Sequence, residues 1–127
     1  MTKRLVALFL AIALALAVVS SGFAAGSASK AFKTKVTIVQ GDGTDFHGKV
    51  KSKKAACKKK RKVTLQIMTT YQSSFHTLGA VKSKRNGNWK RPTTVQSGAQ
   101  YRAKVKKKTL HNGDKCKAKT SRVVTAT

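Results

Sequence analysis

Glutamate is absent from this 127-residue chain and aspartate occurs three times, against 28 lysines and arginines, for a formal charge of +25. That scarcity excludes most hydrolytic and acid–base enzymes, which need carboxylates or histidines set together. Asp42 and Asp45 share one short stretch and Asp114 stands far from them, while His47, His76 and His111 lack the spacing of a metal-ligating pair. The segment GDGTD (41–45) has too few oxygen ligands for a dedicated calcium loop, lies in a repulsive field, and reads as a turn. No Gly-x-Ser-x-Gly, phosphate-binding glycine loop or dinucleotide fingerprint occurs. The expectation is a non-enzymatic protein with no cofactor, no metal and no small-molecule substrate.

Long apolar runs are equally scarce: there is one, the fifteen residues Leu5 to Val19. It follows Lys3 and Arg4 and precedes the small and polar stretch SSGFAAGSAS, which together make the three regions of a secretory signal peptide. Fifteen residues fall short of the roughly 20 that span a bilayer as a helix, so cleavage rather than anchoring is expected, after Ala24 or after Ala28. No cysteine stands near the run for lipid attachment. The expected organisation is a signal peptide over 1–25, a short linker over 26–32 and one domain over 33–127. Without Lys3 and Arg4 the basic count falls by two and the formal charge from +25 to +23. Export also removes the nuclear reading of KKKRKV (58–63), a run otherwise similar to a basic import signal.

The remaining apolar residues are not scattered but alternate in short runs, the pattern of half-buried strands. KTKVTIVQ (33–40), FHGKVKS (46–52), RKVTLQIM (61–68), AVKSKR, NWKRP, QYRAKVKKK (100–108) and CKAKTSRVVTAT make seven such runs, with turn signals between them. Asn86-Gly87 is the strongest of these signals and predicts a type I′ hairpin between AVKSKR and NWKRP; HNGD (111–114) predicts a second turn of that kind. Seven short strands without helical periodicity outside the signal peptide predict an all-β, seven-stranded antiparallel β-sandwich, expected as a monomer. Its core is expected to hold Val36, Ile38, Phe46, Val50, Val63, Leu65, Ile67, Trp89, Tyr101, Val105 and Val123. For Trp89 and Tyr101, core packing is preferred over ligand stacking.

Only two cysteines occur, Cys57 and Cys116. An even pair in an exported chain predicts a disulfide, here tying the third strand to the seventh.

These landmarks, in FHGKVKSKKAACKKKRKVTLQ, SKRNGNWKRP, SGAQYRAKVKKK and CKAKTSRVVT, give a chain that resembles small exported bacterial β-sandwich domains of the transthyretin-like or carboxypeptidase-regulatory type, immunoglobulin-like in architecture. The resemblance implies that Gly48, Cys57, Cys116, Gly87, Trp89, Gly98 and Tyr101 are scaffold positions. It carries over nothing catalytic, and the cationic load departs from it.

That load is the distinctive feature. Ordinary soluble domains carry net charges of about 2 to 8 in magnitude, and larger values repel themselves. The basic residues concentrate in one loop, Lys53, Lys54, Lys58, Lys59, Lys60, Arg61 and Lys62, and in the outward stripe Arg102, Lys104 and Lys106, whose members stand roughly 7 Å apart on a strand. Lys49 and Lys51 form a shorter stripe. These residues are expected to bind an anionic polymer electrostatically: teichoic acid, anionic lipid or extracellular nucleic acid. The first functional expectation is a secreted module that binds, or structurally decorates, an anionic cell envelope. A secreted effector acting on membranes is the second, without the amphipathic basic helix such activity favours. A nucleic-acid binder is the third, if export is set aside.

Overall fold

The computed structural model describes residues 29–42 and 44–127; the expected signal peptide and its cleavage sites lie outside them. Among the described residues the strands are β1 (Ala31–Phe32), β2 (Lys35–Val36), β3 (Val39–Gln40), β4 (Asp45–Lys51), β5 (Lys62–Met68), β6 (His76–Lys82), β7 (Asn88–Pro92), β8 (Gln100–Val105), β9 (Lys108–Thr109), β10 (Lys115–Cys116), β11 (Lys119–Thr120) and β12 (Val124–Thr125). One turn of 3-10 helix, Ala55–Cys57, precedes β5. No helix among the described residues is long and apolar enough to cross a membrane.

The protein is all-β, and its two larger sheets are arranged consistently with a β-sandwich. The first runs β11-β8-β5-β6, with β12 following β11 along the same edge of β8. In the second, β4 is flanked on one edge by β2 and β3 and on the other by β7. Alternation along the strands turns Val36, Ile38, Phe46, Val50 and Trp89 of one sheet toward Val63, Leu65, Ile67, Tyr101, Ala103 and Val105 of the other, and all of them are buried. Phe46 and Tyr101 meet between the layers, with ring centroids 4.3 Å apart. Tyr101 keeps its hydroxyl satisfied by accepting the Gln96 N–H at 2.9 Å.

A third, smaller sheet, β1-β10-β9, was not expected. Ala31 and Phe32, read from the sequence as linker, pair in parallel with Lys115 and Cys116. The pairing of Cys57 with Cys116 is present, across a Cα–Cα distance of 5.5 Å, and fixes this sheet to the 3-10 turn. Such a bond fits an oxidising compartment.

Three expected strands are broken rather than continuous, the run 100–108 ending as β8 at Val105 and resuming as β9 at Lys108, so the strand count is higher than seven. Between β2 and β3 the register along β4 is unchanged, but the backbone ladder is interrupted at Thr37. Its N–H still donates to the Lys49 carbonyl at 2.9 Å. The Lys49 N–H, however, goes to the Thr37 hydroxyl at 2.8 Å. That frees the Thr37 carbonyl to accept from Trp89 Nε1 at 3.2 Å. The indole reaches it by crossing Gly48, where any Cβ would overlap the Thr37 carbonyl. Gly48 is therefore a close-approach position, and Trp89 is core, as expected. The last run divides into β10, β11 and β12, and its inward position falls on Ala126, which is buried, while Val123 is 45% exposed. Val123 was expected inside; adjacent valines leave the strand parity open, and the chain takes the other one.

Asn86-Gly87 is a turn but neither type I′ nor a hairpin within one sheet. Only Gly87 takes a positive φ, +91°. The Gly87 N–H donates to Lys84 O at 2.9 Å and the Lys84 N–H to Asn88 O at 2.8 Å, closing a three-residue loop with glycine at its left-handed position. Gly87 then docks on β4, its carbonyl accepting the Val50 N–H at 2.8 Å. That contact carries β7 to the free edge of β4 while β6 stays with β5, so the turn joins the two sheets. The same loop geometry recurs at Leu110–Asp114, where it does close a hairpin, between β9 and β10.

Candidate functional site

The basic residues singled out in the sequence do not form one patch. Arg61 leaves the surface altogether. It was expected as a loop cation free to meet a ligand, but only 1% of it is exposed. Its Nη1 donates to Cys57 O at 2.8 Å and Thr34 Oγ1 at 3.3 Å, and its Nη2 to Lys106 O at 2.8 Å and Lys117 O at 3.2 Å. Burial pulls its pKa below the ordinary guanidinium value. The physical reason for its place is the guanidinium fork: five fixed donors can gather carbonyls from several chain segments, which a lysine cannot do. Arg61 is thus a structural hub joining the 3-10 turn, the end of β8 and the segment after Cys116.

The chain around it is held by Ser83, whose hydroxyl accepts the Arg61 N–H at 2.9 Å and donates to Lys58 O. The Ser83 carbonyl accepts the Lys60 N–H at 2.9 Å. Lys60 takes φ +51°, the only positive value of a non-glycine among the described residues. A left-handed residue with a long side chain costs about 1 kcal/mol or more. Lys59 and Lys60 of this anchored loop lie close enough to Lys108 for their charges to act on it, as does Lys82. Burial first, and then the like charges of Arg61, Lys59, Lys60 and Lys82, hold the Lys108 ammonium below the ordinary lysine value of 10.5.

Lys62 belongs to a different surface, the outer face of the first sheet. It lies directly opposite Lys82 across β5 and β6, and it lines an open groove of about 520 Å³ with Lys104 and Lys106. Arg102, next in that stripe, is already engaged: its Nε donates to Gln66 Oε1 at 2.8 Å, and its guanidinium lies over the Phe75 ring at 4.0 Å. Lys53 and Lys54 point elsewhere. Lys53 lines a cleft with Phe32, Lys33, Lys35 and Lys51, and Lys54 Nζ stands 5.8 Å from the Phe32 ring. There, too, lysines face one another, Lys35 against Lys51 across β2 and β4.

Lys82 and Lys108 are the site residues that sequence reasoning missed. Lys82 sat in a run expected to pair with NWKRP and found beside β5 instead, and Lys108 at the end of KKK in a stretch read as one strand. Among the described residues no lysine or arginine forms an ion pair with a carboxylate; the one acidic contact of this kind joins Asp45 Oδ2 to His47 Nδ1 at 3.1 Å. No group of three or more metal-ligating side chains occurs among those residues.

The crowding at Lys108 makes a prediction. Its lowered folded-state pKa means that the folded protein holds fewer protons than the unfolded chain from that lowered value up to about 10.5. Stability therefore rises with pH across that window, and the repulsion is fully present below it. Lys108→Gln is expected to raise the melting temperature near neutral pH, with the gain fading as pH rises through that window and absent above about pH 10.5. Melts of both proteins from neutral to alkaline pH check this; an equal gain at every pH would show that charge is not its cause.

No protein-family model, curated protein or solved structure matches the chain. Its functional reading rests on this surface.

Proposed function

We propose that this protein is an exported, non-enzymatic module of immunoglobulin-like sandwich architecture that holds anionic polymers of a cell envelope by electrostatic attraction. The observation that carries the reading is the arrangement of charge. Lysines directly opposite each other on neighbouring strands destabilise a sheet, yet Lys35 meets Lys51 and Lys62 meets Lys82, with no carboxylate paired to any of them. A surface built only for solubility does not need like charges in register. A polyanion supplies the missing counter-charges and relieves the repulsion on binding. The disulfide and the signal-like N-terminal sequence support export.

The test is the salt dependence of affinity for teichoic acid, anionic liposomes and duplex DNA. Binding is expected to weaken steeply with salt, with a slope of about −0.9 per phosphate neutralised on DNA. Replacing Lys58, Lys59, Lys60 and Lys62 by Gln, with Arg61 kept, is expected to make that slope shallower by about two units or more. Absence of binding to all three at about 0.15 M salt, where screening acts over roughly 8 Å, would reduce the charge to a solubility device.

A further inference from the structure

The outer face of the β11-β8-β5-β6 sheet is more specific than a charged surface. Cross-strand register sets three outward rows side by side. On β5 they are Lys62, Thr64 and Gln66. On β8, Lys104 stands opposite Thr64 and Arg102 opposite Gln66, with Lys106 beyond the paired segment at the Lys62 end. On β6, Lys82 stands opposite Lys62 and Ala80 opposite Thr64. Short neutral side chains, Thr64 and Ala80, thus floor a trough with cations along its β8 side and across one end. Lys82 in turn lies close enough to Lys108 for their charges to interact, as do Lys59 and Lys60.

We propose that this trough seats a single extended phosphodiester chain without bases, a poly(alditol phosphate), lying along β5. The inference rests on the polyanion reading above and names its site and ligand class. Outward residues two apart on a strand repeat at roughly 7 Å, close to the interval between successive phosphates joined by an extended three-carbon unit, so that Lys104 and Lys106 meet consecutive phosphates. The floor has hydroxyl and methyl groups for an alditol and no aromatic face for a base. The nearby Phe75 ring is already covered by Arg102 at 4.0 Å. Nucleic-acid single strands are held in large part by stacking on such faces, and this trough offers none.

The test is a titration with synthetic poly(glycerol phosphate) at about 0.15 M salt. Two triple variants lose the same charge: Lys62→Gln with Lys104→Gln and Lys106→Gln in the trough, and Lys33→Gln with Lys35→Gln and Lys51→Gln in the cleft beside Phe32. A third variant, Thr64→Trp, fills the floor without changing charge. The trough triple is expected to lose affinity about tenfold or more, the cleft triple less than about threefold, and Thr64→Trp about tenfold. Melting temperatures verify folding; if Thr64→Trp does not fold, the comparison of the two triples decides. Equal losses in both triples overturn the trough while leaving polyanion binding standing. Failure of the parent to bind overturns both. Tighter binding of single-stranded DNA than of poly(glycerol phosphate) of equal charge overturns the ligand assignment, since bases would then contribute.

Discussion

Replacing Arg61 with methionine is expected to destabilise the protein by about 3 to 5 kcal/mol, although it removes a positive charge from a chain that carries too many. Methionine fills similar space but leaves Cys57 O, Thr34 Oγ1, Lys106 O and Lys117 O without the donors they now have. Hydrogen bonds to a charged donor contribute roughly 1.5 to 3 kcal/mol each, and orphaned buried acceptors cost about 1 to 3 kcal/mol. Against this stand the relieved desolvation of the guanidinium and the relieved repulsion of Lys108, so the net falls below the sum. The consequence divides the basic run sharply. Gln at Lys58, Lys59, Lys60 and Lys62 leaves the fold intact, since those side chains hold no core. Adding Arg61→Gln to the same protein is expected to remove a large share of its stability, because the total for a small domain is only about 5 to 15 kcal/mol. Urea denaturation of the two sets checks this. A melting temperature for Arg61→Met within about two degrees of the parent would mean that the four acceptors find water instead.

This residue also marks where sequence reading stops. Period-two alternation is a statement about faces, and it placed Phe46, Leu65 and Tyr101 inside because each sits in an apolar-polar alternation. It failed at Val123, where two valines are adjacent and parity is undetermined. Arg61 stood in a basic run that looked uniformly solvated. The one available signal was chemical: among Lys58, Lys59, Lys60 and Lys62 it alone carries a fork of donors suited to several carbonyls. Its acceptors come from residues 34, 57, 106 and 117, and no local pattern announces a convergence so distant in sequence.

The candidate site was legible to the same degree. Stripes along one strand, such as Lys104 and Lys106, follow from alternation alone. Which stripes become neighbours depends on strand order and register, which alternation does not contain. The expected hairpin at Asn86-Gly87 would have set β7 beside β6. Its actual course, to the far sheet, instead leaves β6 at the edge of the first sheet, with Lys82 opposite Lys62. Lys53 and Lys54, close to Lys58 in sequence, belong to the cleft beside Phe32 because β4 ends there. The resemblance to exported sandwich domains pointed to scaffold roles for Gly48, Gly87 and Trp89, and the packing of Gly48 under the Trp89 indole gives one physical reason for such a role.

Removing the disulfide by Cys57→Ala with Cys116→Ala is expected to cost about 4 kcal/mol, the chain-entropy estimate for a crosslink spanning a sequence separation of 59. The loss should not be uniform. The apolar cluster between the large sheets contains no residue of β1, β9 or β10, so the small sheet has the bond, its backbone pairs and Arg61 to hold it. Amide exchange is therefore expected to accelerate first in residues 31–32 and 108–116, while Trp89 fluorescence still reports a packed core. Arg61 makes the effect non-additive. Two of its acceptors, Cys57 O and Lys117 O, lie at or next to the bridged cysteines, so releasing the bond loosens the cage that the guanidinium organises. The triple variant that adds Arg61→Met is expected to be less destabilised than the sum of its parts by about 1 kcal/mol or more, as for residues sharing one network. Strict additivity in that cycle, or unchanged exchange at 108–116 in the bond-free protein, would show that β1 and the hairpin are held independently of the cystine.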